Sequence, residues 1–156
     1  MKKKLLLISL DAMIGKDIEI LKTLPTFAPI LEKASIVKSV ETVYPSMTYT
    51  AHASIVSGTY PEKHGVITNE VFTPLMNKAP WYELRTQNKA QILPELAQEN
   101  GYSAFINSWP TLVGANVDYV IQRAGIHYPK EECCFNTRNV GLLCRSMDIT
   151  KLLFNR

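Results

Sequence analysis

Residues 44–65 constrain the fold of this chain most strongly, because they combine a helix start, a group of hydroxyls and a helix stop. Pro45 fixes its own φ and lacks a backbone N–H, which suits the approach to a helix rather than its interior. Residues 49–57 carry apolar side chains at helical spacing, and Gly58 is typical of the position just past a helix end. The stretch therefore predicts a short helix that begins near Thr48.

Three hydroxyl side chains surround the start of this helix, on Ser46, Thr48 and Thr50. Each of them can cap the helix by accepting a hydrogen bond from a backbone N–H group. The same place favours an anion, because unpaired N–H groups and the positive end of the helix dipole meet there. The local residues leave two roles open for such a hydroxyl: an ordinary cap, or a nucleophile beside a bound phosphate.

Composition places the chain among soluble globular proteins. It has 156 residues, 46% hydrophobic and 20% charged, which fits one domain with a sizeable core. The net charge of +3 is too small to indicate a nucleic-acid partner, and the run Lys2–Lys4 favours a solubilising start to a strand. We predict no nucleic-acid patch.

Residues 5–10 form an apolar run that is too short for a signal-peptide core and far below the roughly 20 residues of a membrane span. We therefore expect no membrane segment and a cytoplasmic location. Three cysteines, an odd number, do not make a disulfide framework. Cys133, Cys134 and Cys144 have no paired histidine nearby and form a poor zinc pattern.

Apolar runs alternate with helical patterns along the chain, which predicts an α/β fold with a mainly parallel sheet flanked by helices. The predicted strands are residues 5–10, 35–43, 102–107 and 117–121, and the predicted helices are residues 17–24, 29–34, 49–57 and 90–100. Asp11 directly follows the first predicted strand, and ligand sites in open α/β sheets lie beyond the carboxyl ends of strands. Asp11 is therefore a candidate metal ligand, with a turn former or helix cap as the alternative.

Asp11, the segment Pro-Ser-Met-Thr48, the turn Gly-Thr-Tyr-Pro-Glu-Lys-His-Gly65 and Asn69 follow one another along the chain. Taken together, they resemble the type I phosphodiesterase/nucleotide pyrophosphatase family of the alkaline phosphatase superfamily. The resemblance covers roughly residues 4–128 and is strongest over residues 44–69. Sulfatases and metal-dependent mutases share the strand, the aspartate and the nucleophile helix, but the turn before Asn69 favours the phosphodiesterase branch.

The resemblance implies an alkaline-phosphatase-like fold and a role for three residues. Thr48 would be the nucleophile and a metal ligand, Asp11 would be a metal ligand, and Asn69 would contact a phosphoryl oxygen of the substrate. Two divalent metal ions, with zinc as the expected metal, would activate the threonine to form a covalent phospho-threonine. The substrate would be a phosphate-ester small molecule such as a nucleotide. The same resemblance treats His52 and His64 as structural residues.

The sequence also departs from the family pattern. The family's Asp-His-Gly motif is missing, and the aspartates and histidine after Asn69 are limited to Asp118, Asp148 and His127. We therefore predict that residues 1–130 are the N-terminal part of a truncated catalytic domain, that residues 131–156 form an atypical tail, and that the chain has little or no activity. The alternative is a non-catalytic fragment or interaction module that retains half of the fold.

Overall fold

The computed structural model describes residues 4–121. The chain divides into two compact units, Met1–Thr42 and Val43–Arg156. The sequence instead predicts one domain over residues 1–130. The predicted boundary at residue 131 and the cysteine-containing tail lie outside the described residues.

The first unit contains two short helices, α1 (Asp17–Leu21) and α2 (Ala28–Leu31). The carboxylate of Asp17 accepts a hydrogen bond from the N–H of Ile14 at 2.8 Å, which fixes the chain just before α1. Pro29 lies in the first turn of α2, where its missing N–H costs no hydrogen bond. Both helices occur where the sequence predicts them, and both are shorter than predicted.

The predicted strands at residues 5–10 and 35–43 are wrong, since neither segment is a strand in the structure. A strand inside a parallel sheet is buried on both faces, yet Leu5 is 76% exposed and Ile8 is 65% exposed. A continuous apolar run becomes a buried strand only when neighbouring strands accept its backbone hydrogen bonds and helices cover its faces. Within the described part of the first unit, no strand is present to do so.

Helices dominate the first half of the second unit, beginning with α3 (Thr48–Ser57) and α4 (Pro61–His64). A 3₁₀ turn (Arg85–Gln87) and α5 (Leu93–Glu99) follow. Gly58 ends α3 with a φ of 63°, a left-handed conformation that glycine adopts without strain, and its N–H donates to Ser54 O at 2.8 Å. The helices predicted around residues 49–57 and 90–100 are thereby confirmed.

Two parallel strands, β1 (Phe105–Asn107) and β2 (Tyr119–Ile121), pair in the register Phe105 with Tyr119. The carboxylate of Asp118 accepts a hydrogen bond from Ala104 N–H at 2.9 Å and so fixes the approach of one strand to the other. Both strands lie within segments that the sequence predicts as strands. The predicted α/β class, with parallel strands and flanking helices, is confirmed as a partial fold.

The core of the second unit lies between α3, α5 and the strand pair. Its buried members are Val56, Ile92, Ala104, Ile106, Leu112, Ala115 and Val117. An ion pair between Arg85 and Glu95, 2.7 Å apart and with each side chain only 19% exposed, connects the 3₁₀ turn to α5. Arg85 also donates to the carbonyl of Ala90 at 3.0 Å, so its guanidinium is well satisfied despite its burial. This packing holds α3 in place against α5 and the strand pair.

Candidate functional site

The N-terminus of α3 forms the candidate site. Met47 is the N-cap residue, with extended backbone (φ −102°, ψ 150°), and no side-chain hydrogen bond from it caps the helix. Thr48 is therefore the first residue inside the helix and does not serve as the N-cap. Its side chain is half-buried, and no hydrogen bond from residues 4–121 engages its hydroxyl.

Asn69 caps α3 from a distance of 20 residues along the chain. Its Oδ1 accepts a hydrogen bond from the N–H of Tyr49 at 3.0 Å. Its main-chain carbonyl accepts another from Tyr82 N–H at 2.9 Å, so both ends of the residue are held. Because Oδ1 is the acceptor, the two Nδ2 donors of the amide are left for a ligand, and no described residue accepts from them. The structure thus brings Thr48 and Asn69 to the same helix end.

The three hydroxyls at the start of α3 differ in their surroundings. Ser46 is exposed and lies before the helix, whereas Thr50 is 0% exposed and its hydroxyl has no hydrogen-bond partner among the described residues. A phosphate in solvent cannot reach a fully buried hydroxyl. Thr48 combines a place in the first helical turn with partial exposure, which is the arrangement that a nucleophile at a helix N-terminus requires.

The segment after Asn69 is held against α3 by aromatic packing. The rings of Tyr49 and Trp81 meet edge to face, with centroids 5.1 Å apart. Trp81 pairs with Glu70 in an antiparallel bridge, and Val71 N–H donates to Pro80 O at 2.7 Å. Tyr49 and Trp81 are both partly buried in these contacts.

His52 and His64 are both buried in the second unit. Nδ1 of His52 donates to the carbonyl of Thr48 at 2.7 Å, and its ring packs edge to face on Trp109. Nδ1 of His64 accepts from Val66 N–H at 3.1 Å, and its Nε2 lies 2.9 Å from Ser54 Oγ. Both ring nitrogens of His64 are therefore used within the fold, and burial lowers its pKa from the ordinary value of 6.5.

Asp11, the third predicted site residue, belongs to the first unit. It is exposed, and its Oδ1 accepts a hydrogen bond from the N–H of the following Ala12 at 3.1 Å. This is the turn-forming contact that the sequence leaves open as an alternative role. Within residues 4–121, no group of three or more His, Cys, Asp or Glu side chains could hold a metal ion. The described residues therefore do not fit a two-metal site.

Comparison with known proteins gives the family. A family model for type I phosphodiesterase/nucleotide pyrophosphatase matches residues 5–143. The chain belongs to this family. Human ectonucleotide pyrophosphatase/phosphodiesterase family member 1 is 38% identical to it over 88 residues, which cover 54% of this chain and 9% of that relative. Human family member 5 is 35% identical over 80 residues, covering 50% of this chain and 16% of that relative.

Solved structures of the family share the fold of the chain. Murine ectonucleotide pyrophosphatase/phosphodiesterase 5, as an inactive variant in complex with AMP, aligns with a TM-score of 0.54 and 25% identity. The alignment covers 72% of this chain and 32% of that structure, so this phosphodiesterase-family chain spans about a third of its structural relative. None of the helices within residues 4–121 has the length and apolar character needed to cross a membrane.

The capping role of Asn69 was not predicted, because the sequence suggests only a phosphoryl contact for this residue. We expect Asn69→Ala to lower the free energy of unfolding by about 0.5–2 kcal/mol, since the N–H of Tyr49 loses its acceptor. Asn69→Asp is the matched control, because it keeps an oxygen acceptor and adds a negative charge at the helix N-terminus. Urea unfolding measures both variants. An Asn69→Ala chain as stable as the parent would show that this hydrogen bond is not a cap.

Proposed function

We propose that this chain is part of a metal-dependent hydrolase of phosphodiesters and phosphomonoesters, of the nucleotide pyrophosphatase/phosphodiesterase type. In this proposal Thr48 is the nucleophile and Asn69 is the substrate-binding residue. The proposal rests on one observation. The hydroxyl of Thr48 and the amide of Asn69 lie at the same helix N-terminus, and neither the hydroxyl nor the two Nδ2 donors make a hydrogen bond among the described residues.

The N-terminus of α3 provides the electrostatics that a phosphoryl group needs. The first N–H groups of a helix lack partners within the helix and carry a partial positive charge. Asn69 takes up one of them, at Tyr49, through Oδ1 and so leaves its Nδ2 donors for a ligand. A neutral amide donor stabilises charge that grows on phosphoryl oxygens in the transition state without pairing permanently with it.

The chemistry assigned to Thr48 is nucleophilic displacement at phosphorus. Thr48 Oγ1 forms the new bond to phosphorus, its proton passes to a base, and the alcohol part of the ester leaves with the electrons of the broken P–O bond. The resulting phosphoryl-threonine is then hydrolysed by water. A free threonine hydroxyl is a weak nucleophile, so this step needs an activating group.

Two divalent metal ions, expected to be zinc, would supply that activation in the predicted family site, with Asp11 and Thr48 among their ligands. The described residues supply too few ligands to hold two metal ions. We propose that the 156-residue chain is an incomplete catalytic domain, which binds a phosphate ester but turns it over slowly or not at all.

A small phosphate ester, such as a nucleotide, is the proposed substrate class. The AMP complex of the murine structural relative supports this choice. The edge-to-face pair of Tyr49 and Trp81 lies directly beside the capped helix end. The AMP complex favours a ligand with a phosphate and does not identify the leaving group of a substrate.

The role of Thr48 is tested with zinc and bis(4-nitrophenyl) phosphate, followed by acid quenching and mass spectrometry of peptides. We expect a small fraction of the parent chain to carry an aryl-phosphoryl adduct on Thr48, and none in Thr48→Ala. Ser46→Ala, an exposed hydroxyl outside the helix, is the control and should keep the adduct. We expect turnover below about 1 per second, the lower end of ordinary enzyme rates.

An adduct on another residue, or no adduct on Thr48 in the parent chain, would rule out the nucleophile assignment. Turnover at ordinary enzyme rates that disappears in Thr48→Ala would keep the nucleophile but overturn the claim that the site is incomplete. The adduct therefore tests whether Thr48 is the nucleophile, and the turnover rate tests whether the site is incomplete.

A second candidate function, a non-catalytic interaction module, is favoured by the exposed apolar side chains of the first unit. Leu5, Leu6 and Ile8 are 76%, 69% and 65% exposed, respectively. Large apolar surfaces of this kind mark contacts with a partner or a tendency to aggregate.

Size-exclusion chromatography with and without zinc separates the two functions. The hydrolase proposal predicts an elution volume that changes when zinc is added, because zinc would bind the proposed metal ligands that the chain retains. An oligomer of the same size with and without zinc would favour the interaction module.

A further inference from the structure

His64 connects α3 to the segment that carries Asn69. Its Nε2 lies 2.9 Å from Ser54 Oγ, in the middle of α3, and its Nδ1 accepts from the N–H of Val66 at 3.1 Å. Val66 is 0% exposed, as is His64 itself. Three residues further on, Asn69 caps the start of the same helix. The segment 66–69 is therefore attached to α3 directly at Asn69 and indirectly at Val66, through the ring of His64.

The attachment at Val66 requires a neutral imidazole. A backbone N–H can only donate, so Nδ1 of His64 must present its lone pair to Val66. Nε2 then carries the ring hydrogen and donates to Ser54 Oγ. Protonation would place an N–H on Nδ1, directly facing the N–H of Val66. Two donors cannot share a hydrogen bond, so the contact would be lost, and a buried N–H would be left without its acceptor.

We propose that His64 is a positioning residue for the phosphoryl contact: its neutral ring holds the segment 66–69 against α3, and its protonation releases that segment and moves Asn69 away from the phosphate. This inference rests on the function proposed for Asn69. His64 itself touches neither the phosphate nor the hydroxyl of Thr48. Its influence reaches the site through Val66 and the short stretch of chain that follows.

The direction of the pH effect follows from burial. Burial lowers the pKa of His64 below its ordinary value of 6.5, so the ring is neutral at neutral pH and the segment is held. The stabilisation is fully present above pH 6.5 and is lost as the pH falls towards the lowered pKa. Other charged or titratable side chains belong to the elements packed around this ring: His52 on α3, Glu62 and Lys63 on α4, and Lys89, whose N–H donates to His64 O.

The test is a pH titration of the isotope-labelled full chain from neutral pH into the acid range, followed by NMR. We expect the amide signals of Val66 and Tyr49 and the side-chain amide signals of Asn69 to shift with the same midpoint as the His64 ring, below pH 6.5. His64→Gln should remove this common step. His52→Gln is the matched control and should keep it, because the acceptor of the Val66 N–H is on His64 and not on His52.

A binding measurement tests whether the titration of His64 changes the affinity of the chain for a phosphate ester. Bis(4-nitrophenyl) phosphate is a suitable probe, since a phosphodiester does not change its charge in this pH range. We expect its affinity for the parent chain to fall by about fivefold across the His64 midpoint, as for the loss of one hydrogen bond, and to stay level in His64→Gln. If the His64→Gln chain does not fold, Ser54→Ala serves instead. It leaves the Nδ1 contact intact and should keep the step, with its midpoint moved to lower pH.

Steady signals from Tyr49 and Asn69 while His64 titrates would overturn the inference. A His64 ring that remains neutral until the chain unfolds would overturn it as well. A chain that binds no phosphodiester at any pH would instead count against the proposed function, and the NMR titration would still decide whether His64 positions Asn69.

Discussion

The hydrogen bond from the N–H of Tyr49 to Asn69 Oδ1 is the contact on which the candidate site depends. A helix N-terminus has several backbone donors without partners inside the helix, and Met47 at the N-cap position has no side chain that can accept from them. Asn69 fills this gap from the following segment. By doing so it orients its own amide donors and leaves the hydroxyl of Thr48 uncommitted.

This contact lets one residue combine a structural role with the binding role that we propose for it. The acceptor half of the Asn69 amide stabilises the helix, which leaves the donor half for an anion at the helix N-terminus. The surrounding contacts serve to keep Asn69 in position, through Tyr82 at its main-chain carbonyl and through His64 and Val66 on the preceding segment. These contacts fix the residue that we propose as the phosphoryl contact.

Sequence reasoning succeeded where the determining signals are local. The helix α3 ends at Gly58 and α5 carries Pro94 in its first turn, and both features depend on residues within one helical turn. The family was also predicted correctly, because residues 44–69 carry its pattern in one continuous stretch. Thr48 and Asn69 do lie at one helix end, but the capping role of Asn69 depends on a contact 20 residues away, which no local pattern specifies.

The predictions that failed depend on partners. An apolar run such as residues 5–10 reads as a buried strand, but strand formation needs neighbours on both edges, and the structure leaves these side chains exposed. The metal site depends on partners too, because a single carboxylate holds no metal ion, and the ligand role of Asp11 stays a prediction. The zinc pair and the cytoplasmic location stay predictions.

The central proposal is that the N-terminus of α3, together with Asn69, binds a phosphate ester. Its most direct test is an NMR titration of the full chain with AMP, with the Asn69→Asp variant as the comparison, since that variant keeps the cap and loses the amide donors. The account predicts that the amides of Thr48 and Tyr49 and the side-chain amide of Asn69 shift in the parent chain, and that the Asn69→Asp chain, folded as before, shows no such shifts. Shifts confined to other parts of the chain, or equal shifts in both chains, would contradict it.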